Sequence, residues 1–218
     1  MKIRKTTAWA LAGLTAVLAA AGCASGPSAA EMDAQFKAMM SASFRDEGIA
    51  KVDRIAQDAD TAACSTGTAP DAETAKRIEA NAMATVKAPA DGKYIGDWRE
   101  GEKLAQNGRG MTWTDRSTAT SANGGNCYNC HQISKAEISF GTIGPSLYQF
   151  GKLRGVADPA SPEAAAMVQY TWGKLNNAWA YNACSNMPRF GHKRLLDEQQ
   201  LKHLMALLLD PKSPVNAQ

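Results

Sequence analysis

Residues 127–131 read Cys-Tyr-Asn-Cys-His, and the reading of this C-x-x-C-H stretch decides how the rest of the chain is understood. It is the attachment pattern of c-type haem. Two thiols with two residues between them, Cys127 and Cys130, reach one porphyrin edge, and each adds across a vinyl group. The next side chain, His131, is then placed beneath the ring as an axial iron ligand. A bare C-x-x-C also suits zinc or thiol-redox chemistry. Context has to separate these, because covalent haem attachment of this kind takes place outside the bacterial cytoplasm.

The chain begins as exported chains do. Lys2, Arg4 and Lys5 precede an uncharged apolar run from Ala8 to Ala21. This is a signal-peptide pattern, too short for a membrane span. The run closes on Ala20-Ala21-Gly22-Cys23, which resembles a bacterial lipoprotein box with Ala20 where Leu is usual. On that reading residues 1–22 are removed and Cys23 becomes a lipidated N-terminus, holding the protein at a membrane surface. On the other reading cleavage falls near Ala30 and Cys23 is discarded. No later segment reaches the ~18–20 apolar residues of a transmembrane helix. The expected location is the periplasm, with a membrane tether if Cys23 is retained.

Charge is informative by subtraction. The chain carries 24 Lys+Arg against 21 Asp+Glu. Three of those cations and none of the anions lie in the leader, so the remainder balances at 21 against 21. No net basic field for nucleic acid is left. Of the five cysteines, two belong to the motif and one to the leader. Cys64 and Cys184 remain, and in an oxidising compartment they are expected to form a disulfide. Closing so long a loop contributes ~3–5 kcal/mol in the chain-entropy model.

Everything along the chain reads as helix or loop, an all-α class. Residues 23–30 are a flexible leader. Residues 31–93 form a helical extension too small and polar to be an independent domain. It holds apolar residues at roughly helical spacing from Glu31 to Ala59, broken near Gly48, then a loop carrying Cys64, then a helix over Asp71 to Lys87. Asp97 caps a helix ending near Gly108. Arg109 to Asn126 is a polar loop leading into the motif. After the Gly144-Pro145 turn come a short helix over Tyr148 to Arg154 and a longer one over Glu163 to Tyr181. The closing helix, Asp197 to Asp210, carries Leu201, Leu204, Met205 and Leu208 as one stripe.

An iron held by one His needs a sixth ligand or stays open to small molecules. Met187 is the first candidate. It lies on no apolar stripe, stands in a polar loop and is followed by the rigid Pro188. A thioether would raise the potential, as suits electron transfer. His192, in the same loop, is the rival. Met111 is weaker, His203 reads as a packing residue, and Cys184 is available only if unbridged. The rigid Gly-Pro turn at Pro145 is either a plain loop turn or a support for the His131 side of the ring, where a nearby backbone carbonyl can accept from the Nδ1–H.

Together, the helix before C-x-x-C-H, the Gly-Pro-x-Leu turn, the Met-Pro loop and the closing helix resemble the class I cytochrome c fold over Tyr94 to Pro211, within a domain of residues 94–218. Three segments look more specifically like the SoxX family, the monohaem subunit of the sulfur-oxidising SoxAX cytochrome. They are Gly125 to His131, Gly141 to Leu147, and Cys184 to Gly191, whose Asn-Met-Pro-Arg-Phe-Gly is the most specific; the tail Leu209 to Asn216 is similar too. The resemblance implies one covalent haem c on Cys127 and Cys130 with His131/Met187 ligation. It also implies the electron-transfer role in an L-cysteine S-thiosulfotransferase. That enzyme couples thiosulfate to a cysteine of the carrier SoxYZ, with the catalytic cysteine on a SoxA-type partner and a small cytochrome c as acceptor. No catalytic residue is expected in this chain. The alternatives are a free-standing periplasmic electron carrier and a haem-based ligand sensor with an open sixth site. The Cys64–Cys184 bridge and the Cys23 anchor rest on cysteine arithmetic and not on the family.

Overall fold

Asp and Ser at helix starts, together with apolar periodicity, set the architecture. The computed structural model describes residues 26–217, so the signal segment and Cys23 lie outside the described residues. Six α-helices occur among them: α1 (Ala29–Ser43), α2 (Ala59–Ala63), α3 (Ala72–Thr85), α4 (Trp98–Gln106), α5 (Ala165–Asn176) and α6 (Glu198–Leu209). Short 3-10 turns lie between them, and there is no strand among the described residues beyond one isolated Glu47–Ala50 bridge. The class is all-α. The chain divides into two units, residues 1–45 and 46–218.

The first unit contributes α1. Its start is fixed by a capping box: the Glu31 amide donates to Ser28 Oγ, and the Ser28 amide donates to the Glu31 carboxylate. Two otherwise unpaired helix-end donors are satisfied in this way. None of its residues is buried, and Met32, Phe36 and Met39 are exposed. The helical stretch expected from Glu31 to Ala59, with a break near Gly48, therefore ends earlier than that break, at Ser43. Periodicity reports which residues share a face, and a helix of that length also needs a surface to bury the face against.

The second unit is organised by α6. Nine of its twelve residues are buried, so it is a central helix and not one with a single apolar stripe. Asp197 and Gln200 cap it reciprocally, and Thr120 and Gln200 tie the preceding polar loop to the cap. Helix α4 crosses α6 at Gly101 and Ala105, both buried. A Cβ on Gly101 would run into the His203 carbonyl, so the close crossing requires glycine there. His203 itself serves packing: its Nδ1 accepts from the Asp97 amide at 2.9 Å. The core of this unit gathers Ile133, Phe150, Trp172, Phe190 and the α6 leucines.

The expected helix over Glu163 to Tyr181 is interrupted. Helix α5 stops at Asn176, and Asn177 turns the chain into a 3-10 turn, Ala178–Ala180. The Asn177 side chain accepts from the Trp179 amide and donates to Thr85 Oγ1 at 3.0 Å, a local bond that competes with helix continuation. Tyr148 to Arg154 is likewise only a 3-10 turn, Lys152–Arg154.

The extension beyond residue 46 packs on this unit. Ile78 and Ala82 of α3 form a second, smaller core with Trp179 and Ala180. Trp172 Nε1 donates to the Lys87 carbonyl at 2.7 Å, and Tyr94 meets Trp172 edge-on. The sulfurs of Cys64 and Cys184 are bonded at 2.00 Å, so the expected disulfide is present.

Candidate functional site

The C-x-x-C-H motif is tied back onto the C-terminal end of α4. The Gly125 amide donates to the Leu104 carbonyl at 2.8 Å, and the Asn126 amide to Asn107 at 3.0 Å. Asn126 then adopts a left-handed backbone (φ 52) and starts the 3-10 turn Cys127–Asn129. The amides of Cys130 and His131 both donate to the Cys127 carbonyl, which winds the motif into one tight turn. Cys127 and Cys130 are free and half-buried. Burial pushes the Cys127 thiol up to about 12. That is the opposite of the depressed thiol found in dithiol oxidoreductases.

A second segment is clasped onto the motif. The amide of Gly141 donates to Tyr128, that of Gly144 to Cys130 at 2.8 Å and that of Leu147 to Gln132 at 2.7 Å. This brings the Pro145 carbonyl to 2.6 Å from His131 Nδ1. A carbonyl oxygen only accepts, so Nδ1 carries the proton and donates. The lone pair is left on Nε2, the tautomer and orientation of a metal-ligating imidazole. Gly144 lies so close that a Cβ there would overlap the His131 ring. The Gly-Pro turn points to a nearby backbone carbonyl, without saying whose, and not to the need for Gly144. Its only signal was the glycine one residue before the Gly-Pro turn's proline.

Met187 is half-buried and packs against the main core, as Cys127, Tyr128 and Leu147 also do. Among the rivals, His192 is exposed. Desolvation, with the cations of Arg189 and Lys193, holds its imidazole below the ordinary value, while Asp58 pulls the other way. Met111 has a left-handed backbone (φ 62), its carbonyl accepts from Arg54, and it is not part of that core. His203 has both ring nitrogens engaged, with Asp97 and Gln199. Cys184 is bridged. Among the described residues no three His, Cys, Asp or Glu side chains gather as a metal-binding group.

Two unpaired thiols at C-x-x-C spacing, an adjacent imidazole presenting Nε2 and a thioether packed on the same core are the donor types that a covalent haem would use. Beside the motif an open cleft of about 390 Å³ is lined by Glu102, Gln106, Tyr128, Ser134, Ala136 and Glu137. Within it Glu137 Oε2 is buried without a hydrogen-bond partner, and burial raises that carboxyl.

No family model matches the chain. An "Uncharacterized lipoprotein" of Aquifex aeolicus (strain VF5) is 38% identical to it over 133 residues, 61% of this chain. The match spans 59% of that protein's length. No helix among the described residues is long and apolar enough to cross a membrane.

Proposed function

We propose that this chain is a monohaem c-type cytochrome of the class I fold, passing single electrons outside the cytoplasm. The observation that carries the reading is the His131 Nδ1 to Pro145 carbonyl contact at 2.6 Å, directly beside two free motif cysteines. It fixes the imidazole with Nε2 as the available donor atom. Cys127 and Cys130 would hold the haem, and His131 and Met187 would hold its iron. Bound there, haem supplies a one-electron couple whose potential a thioether ligand raises. The chain's own contribution is to hold the imidazole through Pro145 and Gly144 and to keep the thioether on the apolar core.

The finer reading is a SoxX-like subunit of a thiosulfate-oxidising complex. It would take up electrons released when a SoxA-type partner couples thiosulfate to a SoxYZ-type carrier cysteine, and deliver them to a small cytochrome c. Support comes from the clasping of Gly141–Leu147 onto the C-x-x-C-H turn and from the Asn-Met-Pro-Arg-Phe-Gly loop. The name of the Aquifex protein, a lipoprotein, supports retention of Cys23 as a lipid anchor and location at a membrane surface. Native co-purification from thiosulfate-grown cells, with haem staining and partner mass spectrometry, tests this. A stoichiometric second c-type cytochrome is expected. Recovery of the chain alone, with one His/Met haem, would point instead to a free-standing electron carrier.

A further inference from the structure

Three contacts fall on the three residues that lead toward Met187, and all three reach across to the residue 59–86 extension or to the small core it forms. The Ala183 amide donates to Glu79 Oε1 of α3 at 3.1 Å. Cys184, in a left-handed backbone (φ 60), is bonded to Cys64 at the end of α2. The Ser185 carbonyl accepts from Trp179 Nε1 at 2.9 Å, and Trp179 is packed on Ile78 and Ala82 of α3. Beyond Met187, the Arg189 guanidinium stacks over the Trp179 ring at 4.0 Å. Met187 itself makes a local bond, its amide donating to Ser185 Oγ at 3.3 Å. The backbone of the thioether is thus held through its neighbours, and those neighbours are held by a segment lying outside the C-x-x-C-H module.

We infer that α3 and the Cys64–Cys184 disulfide are positioning elements for the Met187 thioether, fixing the base of its loop so that the sulfur is presented to the iron. The inference rests on the haem reading above. A loop anchored at one end only would sample positions in which the sulfur is withdrawn, and each such opening exposes the sixth site. Anchoring at residues 183–185, with buried Phe190 on the far side, leaves a short span for Met187 to move in. The extension then has a use beyond stability: it sets how tightly the iron is closed to small ligands.

The test uses the full chain matured with haem, as wild type, Cys64→Ala/Cys184→Ala and Glu79→Ala. Ferric spectra report the sulfur-to-iron charge-transfer band. Carbon monoxide binding to the ascorbate-reduced protein reports access to the sixth site. Near-ultraviolet circular dichroism checks the fold. The double variant is expected to stay folded and keep its covalent haem while losing the band and binding carbon monoxide. Glu79→Ala should bind it faster than wild type with the disulfide intact. Folded variants with an unchanged band and wild-type inertness to carbon monoxide would overturn the inference. If the double variant does not fold, Glu79→Ala decides by the same readouts. A wild-type haem protein without the band would refute the Met187 assignment itself, a separate failure.

Discussion

Asn216, one residue from the end of the described chain, offers a sharp test of how the fold is held. Its side chain is 5% exposed and bridges three places. Oδ1 accepts from the amides of Gly151 and Lys152, at 2.9 and 3.1 Å. Nδ2 donates to the carbonyls of Leu208 and Asp210, each at 3.0 Å, at the C-terminus of α6. Helix ends leave such carbonyls without intrahelical partners; here the Asn216 side chain serves Leu208 and shares Asp210 with the Ser213 amide. Asn216→Ala leaves the Gly151 and Lys152 amides and the Leu208 carbonyl unpaired beside buried Gly151, Ser213 and Val215, while the Asp210 carbonyl keeps the Ser213 amide. At ~1–3 kcal/mol per buried unsatisfied group, with part of that recovered by relaxation and water, the cost is about 3–5 kcal/mol. For a unit of this size that lowers Tm by about 6–20 °C. Guanidinium and thermal unfolding, followed by far-ultraviolet circular dichroism, measure it. Asn216→Asp should cost nearly as much, because a carboxylate cannot donate to Leu208 and Asp210. A loss below about 1 kcal/mol, the scale of one ordinary hydrogen bond, would refute the reasoning.

Other outcomes follow from the same contacts. Met187→Ala in the haem-loaded protein should lower the reduction potential and admit carbon monoxide, since the thioether both tunes and closes the site; spectroelectrochemistry and carbon monoxide titration check both. Cys64→Ser should lower thermal stability by up to about 4–5 kcal/mol, the chain-entropy value for a loop of this length, given that the bridge spans 120 residues. A thiol count under non-reducing denaturation should find one more free thiol than in wild type. Lys202 is paired with Asp91 at 2.7 Å and Glu198 at 2.9 Å, and its hydrogen bonds hold both carboxyls below their ordinary values. A depressed carboxyl stabilises the fold above its unfolded pKa and ceases to as pH falls through its folded one. The stability gap between wild type and Lys202→Met should therefore be present at neutral pH and close below about pH 4. The Lys202 ammonium is itself raised, by Asp91 and then Glu198. The gap should also close on the alkaline side, as pH rises through that raised value.

The capped helices were readable in the sequence because their signals are local. Asp71, Asp97 and Asp197 each accept from an amide two or three residues on, and a carboxylate at a helix start says so wherever the helix lies. The disulfide was readable from cysteine number and the expected oxidising compartment. The extent of α1 was not, because Met32, Phe36 and Met39 are periodic without being buried. The break at Asn177 was hidden because it depends on Thr85, distant in sequence. At the candidate site, Cys127, Cys130 and His131 announce themselves by spacing. What orients them does not: the Gly144 contact with the imidazole and the anchoring of residues 183–185 come from segments brought together only by folding.

The central claim is covalent haem on Cys127 and Cys130. Its most direct test is intact-mass and pyridine-haemochrome analysis of the full chain expressed with a c-type haem maturation system, followed by peptide mapping. The account predicts one haem per chain, retained through denaturation and located on the peptide containing residues 127–131. A folded protein without iron, whose Cys127 and Cys130 are both free to be alkylated after denaturation, would contradict it.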